Sequence, residues 1–110
     1  MITIDDIKGW SIPHPISKGS TSLSDAKISR FGDGRVMFSI VGGATGLYGD
    51  FEKTFEVAIV EQNKGILVTR YFYEKSTEDV IGWMNVDDML ELINSVLKKE
   101  NVIAPIPFPS

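Results

Sequence analysis

The pattern of apolar and polar positions is clearest near the C-terminus. Val86, Met89, Leu90, Ile93, Val96 and Leu97 recur at spacings of three and four, which makes one apolar stripe on a helix over 86–99. Asn85 is a natural N-cap, Asp87 and Asp88 suit the first turn, Lys98 and Lys99 the last, and Asn101 is placed to cap the end. Upstream the period changes to two. Segments 26–31 and 35–41 flank Gly32-Asp33-Gly34, a turn-forming triplet that predicts an antiparallel hairpin over 26–41. Between 51 and 61, Phe51, Phe55, Val57 and Ile59 fall on one face and Glu52, Thr54 and Glu56 on the other. Asn63-Lys64-Gly65 then predicts a turn into a β-branched and aromatic strand over 66–73, making a second hairpin over 51–73. A short edge strand is expected over 80–84.

Other segments lack a period. Ile2, Ile4, Ile7 and Trp10 fit either a short strand or one helical turn, and the rest of 1–24 reads as irregular. Pro13-His14-Pro15 forces extended backbone, and 17–24 is a polar connector. The glycine-rich loop 42–49 joins the two hairpins. The tail 102–110 is apolar and proline-rich, which favours an extended path. Ile103, Ile106 and Phe108 give it reason to dock, either on its own sheet or across a homodimer. A helix with one apolar stripe must bury it, and the sheet is the available surface. The fold class is therefore α+β: an antiparallel sheet of four to five strands covered by a C-terminal amphipathic helix, in a single domain.

Composition narrows the chemistry. The chain has 110 residues and no cysteine, which excludes disulfides, thiolate metal sites and a cysteine nucleophile, and fits a reducing cytoplasmic setting. Asp5 and Asp6 stand where a signal peptide would carry positive charge, and no apolar run approaches the roughly twenty residues of a membrane span. The net charge of −4 is concentrated in one half. Residues 1–55 carry six acids and six bases, whereas 56–110 carry nine acids and five bases. With few and scattered arginines, a phosphate-tracking surface is disfavoured and a basic protein partner is favoured.

No constellation for catalysis or a cofactor emerges. His14 is the only histidine, without a visible nucleophile or carboxylate partner. Asp87 and Asp88 diverge by about 100° on a helix and are explained by capping. The loop glycines Gly43, Gly46 and Gly49 match neither a dinucleotide nor a phosphate-loop pattern, and two strands rather than a helix flank them. Their plain reading is a flexible connection, and their functional reading is a contact loop exposing Leu47 and Tyr48. Phe72, Tyr71, Tyr73 and Trp83 form an aromatic cluster. Trp83 is expected in the core, while Tyr71 and Tyr73 divide between core cover and interface.

The leading expectation is a small acidic, non-enzymatic protein-binding domain, of the immunity-protein or phage-inhibitor type by class analogy alone. Leu47, Tyr48, Glu52, Glu56, Tyr71 and Tyr73, with an exposed sheet edge, would supply the contacts. The alternative is a small anionic-ligand module, monomeric or oligomeric, in which Gly43 and Gly46 close over a pocket and Arg30, Arg35 or Arg70 holds the anion. No metal or cofactor is expected in either case.

Overall fold

The computed structural model describes residues 1–15, 26–44, 47–73, 79–98 and 100–107. Its elements in chain order are α1 (Ile4–Gly9), β1 (Ile12–Pro13), β2 (Lys27–Gly32), β3 (Val36–Gly42), β4 (Thr54–Glu61), β5 (Ile66–Leu67), α2 (Thr69–Phe72), β6 (Ile81–Asn85), α3 (Val86–Val96) and β7 (Ala104–Pro105). The strands form one open, antiparallel sheet of seven, ordered β1-β2-β3-β4-β5, with β6 also on β4 and β7 also on β2. Three long strands carry it. Four short ones seal its flanks: β1 and β7 share the outer side of β2, and β5 and β6 share that of β4. Covering a long strand in this way shortens the row of free backbone groups that an edge would present.

One face of the sheet carries the core. Phe31 and Phe38 stack across β2 and β3, Ile40 faces Val57, and Ile59 faces Phe38. Onto them α3 lays Met89, Leu92, Ile93 and Val96, and α1 adds Ile7, all buried. Each such side chain contributes roughly 1.5–3 kcal/mol by leaving water. The predicted α+β class and the helix-on-sheet layer stand.

Side-chain hydrogen bonds decide the boundaries. Asn85 caps α3 by accepting the Asp88 N–H at 2.8 Å. The helix stops at Val96, short of 99, because its end is taken over from outside. The Arg35 guanidinium donates to the Val96 carbonyl at 2.9 Å, and the Asp33 carboxylate accepts the Lys98 N–H at 3.2 Å. Asn101 is therefore not the cap; Leu97 takes that place in extended conformation. Lys98 lies beyond the helix, and Lys99 lies outside the described residues.

The second hairpin departs most from expectation. The predicted strand 66–73 lasts only for Ile66 and Leu67, then coils into α2. The cause is Thr69, which is buried. Its hydroxyl accepts the Ile59 N–H at 3.0 Å and donates to the Asp79 carbonyl at 2.6 Å. One side chain thus replaces the next rung of the ladder, the chain turns away, and β6 occupies the vacated length of β4. The other strand of this hairpin starts at Thr54 rather than 51. Ahead of it Asp50 Oδ1 accepts the N–H groups of Glu52, Lys53 and Thr54, and Phe51 adopts a positive φ of 60° while staying buried against Phe55.

The first residues are more ordered than an irregular segment. Thr3 and Asp6 form a capping box for α1. Asn94 of α3 clamps Ile2 by accepting its N–H at 2.8 Å and donating to its carbonyl at 3.0 Å. Ile12 and Pro13 join the sheet. The polar connector 17–24 lies outside the described residues. The tail docks on its own chain: Ala104 and Pro105 pair with Gly32 and Phe31, and the Ile106 N–H donates to the Arg30 carbonyl at 2.9 Å. Phe108 lies outside the described residues. No helix among the described residues is long and apolar enough to cross a membrane.

Candidate functional site

The loop after β3 is held by close approaches that only glycine permits. A Cβ on Gly49 would stand 2.7 Å from the Phe55 Cα, and one on Gly42 would stand 2.8 Å from the Phe51 nitrogen. The Gly43 N–H closes the loop onto the Gly49 carbonyl at 3.0 Å. These glycines have a packing reason, so the described part of the loop is a clamped turn rather than a loose connection. Gly46 lies outside the described residues.

Tyr48 is pinned through its carbonyl, which accepts the Trp83 N–H at 2.7 Å, and its own N–H lies toward the Glu56 carboxylate. Its side chain passes directly over Gly82, where an added Cβ would stand 2.9 Å from the Tyr48 Cβ. The carbonyl is fixed and the residue is left 52% exposed. Trp83 sits beside it in the bulge of β6, where Gly82 and Trp83 fall between the pairs Val57–Ile81 and Phe55–Met84. It adopts φ 55° and is 61% exposed, which overturns its expected place in the core. A glycine inside a strand pattern signals such a bulge, and Gly82 is the cue that points to Trp83.

Together these residues line an open notch of about 490 Å³, bounded by Gly43, Ala44, Leu47, Tyr48, Gly49, Asp50 and Trp83. Its electrostatics are acidic. The backbone N–H groups of Thr54, Glu52 and Lys53 hold the Asp50 carboxyl well below the usual carboxylate range. Burial pushes the Glu56 carboxyl up, opposed by the Tyr48 N–H.

A second exposed apolar group lies at the far end of β4. Ile66, Leu67, Tyr71 and Phe72 are all exposed, Tyr71 at 83%. Tyr71 and Phe72 line a hollow of about 510 Å³ with Gly34, Arg35, Val36, Glu61, Asn63 and Val68. The step from Glu56 to Glu61 along β4 separates the two groups by about 17 Å.

The expected contact residues divide accordingly. Leu47 and Tyr48 meet at the notch, and Glu56 stands behind it, its carboxylate near the Tyr48 amide. Glu52 is exposed on the following turn, 3.9 Å from the Lys8 ammonium. Tyr71 belongs to the second hollow. Tyr73 is half-buried against the core and lines a separate acidic hollow with Asp88 and Glu91 of α3. The arginines do not converge on the glycine loop. Arg35 is bound to Asp33 at 2.8 Å, Arg70 stands 3.8 Å from Asp79, and Arg30 donates to the Pro107 carbonyl at 2.9 Å. None of them lines the notch that contains Gly43. Among the described residues no group of three or more His, Asp or Glu is placed to hold a metal ion.

Fold and surface together define a two-layer α+β domain with an open sheet, its outer long strands covered by short ones, and two aromatic-rich hollows on one flank. Compared with family models, curated proteins and solved structures, the chain has no significant match.

Proposed function

We propose that this chain is a non-enzymatic, cytoplasmic protein-binding domain that docks through the flank of β4, acting by occupying a basic surface of its partner as an inhibitor of the immunity type does. One observation carries the reading. Of nine large apolar side chains exposed among the described residues, five (Ile66, Leu67, Tyr71, Phe72 and Trp83) lie on the short elements that flank β4, and a sixth, Tyr48, stands beside Trp83 on the loop after β3. Tyrosine and tryptophan dominate the energetics of protein interfaces, and apolar groups gathered in water mark a surface that is covered in use. Excess acid in residues 56–110 favours a basic partner.

Affinity capture from a cell extract with the wild-type domain, Tyr48→Ala and Tyr71→Ala tests this. A protein retained by the wild type and lost by the variants, at unchanged melting temperature, is the expected result. Retention and stability falling in step would assign these rings to structure instead.

A further inference from the structure

We infer that the notch between Tyr48 and Trp83 receives one cationic side chain, an arginine above all, presented by a basic segment of the partner protein. This rests on the reading of the β4 flank as a protein-binding surface and adds the chemistry of the contact.

The aromatic faces supply the first argument. Two aromatic residues, each more than half exposed, line one hollow, and the negative face of an indole or phenol ring attracts a cation. The second is that the hydrophobic core does not include the indole. Trp83 occupies the left-handed region, which residues with a Cβ seldom adopt, while its ring contributes little to the core. Glycine would satisfy that backbone more easily. A strained, exposed tryptophan whose N–H bonds the carbonyl of a tyrosine packed over Gly82 is a preset surface rather than an accident of packing.

Charge is the third argument. Asp50 lines the hollow with its carboxylate held ionised by three backbone N–H groups, and the Glu56 carboxylate sits against the Tyr48 amide. Lys53, the cation on the same turn, is not among the lining residues. The hollow at the other end of β4 differs, because Arg35 and Glu61 both line it and neither sign is selected. Arginine fits the notch better than lysine, since a planar guanidinium stacks on a ring while donating to a carboxylate.

The test uses acetylated, amidated glycine tripeptides with a central arginine, glutamate or leucine, titrated into the full chain to about 10 mM, a regime that detects single-residue contacts. Nuclear magnetic resonance reads the Trp83 indole N–H and the Tyr48 amide, with the Trp10 indole as internal control. The arginine peptide is expected to shift both signals saturably, with affinity falling as salt rises and the glutamate peptide silent. Trp83→Gly and Asp50→Asn should each weaken it roughly three- to tenfold. Asparagine keeps an acceptor for the three N–H groups, so the turn survives while the charge is lost. A leucine peptide that moves these signals while arginine does not would overturn the cation receptor and leave the protein-binding flank standing. Silence from all three peptides would overturn the receptor too, and capture through Tyr71 would then decide the wider reading separately.

Discussion

The two flanks of the sheet solve one problem with opposite surfaces. Both outer long strands, β2 and β4, are sealed by a pair of short strands rather than one full-length partner. On the β2 side both sealing strands contain proline, Pro13 and Pro105, which has no N–H to offer a further strand. Trp10 and Ile103 fold inward there against the core, and Ile12 is the large apolar group left exposed on the sealing strands. On the β4 side the sealing elements carry Ile66, Leu67, Tyr71, Phe72 and Trp83 into water. Sealing an edge does not require exposed aromatics, as the β2 side demonstrates. Their concentration beside β4 therefore calls for a cause other than folding.

The largest effect should come from the core that both flanks share. Phe31→Ala, on β2 between Trp10 and Phe38, should cost about 3–5 kcal/mol in denaturant unfolding. Tyr71→Ala should stay within about 0.5 kcal/mol of wild type. Comparable losses for the two would erase the distinction between flanks.

The pin beneath the sheet comes next. Burial pushes Asp33 up, but the N–H of Arg35, the N–H of Lys98, the Arg35 guanidinium and the N–H of Val36 outweigh it and hold the carboxyl at about 2. Its folded value lies below the unfolded one, so the stabilisation is complete above the unfolded value and is lost as pH falls through about 2. With the side chain fully buried, the shift corresponds to about 2 kcal/mol. Asp33→Asn should remove a similar amount at neutral pH and flatten the acid limb of the stability profile. A variant that kept that limb would move the acid sensitivity elsewhere.

Gly49→Ala should cost about 1–3 kcal/mol, because its Cβ meets Phe55 backbone that cannot withdraw without breaking the β4 ladder. Such a loss would show that the notch is preset by packing. A neutral result would mean that the loop yields, and that Tyr48 is not rigidly offered.

Trp83→Gly should be a small effect as well, within about 1 kcal/mol of wild type, since relief of the positive φ offsets the lost ring contacts. A large loss would reassign Trp83 to structure and make the two flanks alike.

The sequence alone determined the elements whose signals are local. The α3 stripe and its Asn85 cap, the Gly34 turn between β2 and β3, and the alternation of Phe55, Val57 and Ile59 each depend on neighbours a few residues away. So the α+β class and the buried face were legible, as was Tyr48 as a candidate. Tertiary structure decided whatever depends on a distant group. Thr69 ends a strand by bonding to Ile59, Arg35 and Asp33 end α3, and the sealing strands β1 and β7 are two-residue pairings set by where their chain is docked. Trp83 belongs to the same class. Its hydropathy points inward, but the bulge opposite Glu56 turns it out beside Tyr48, and a bulge is a property of two strands in register rather than of one.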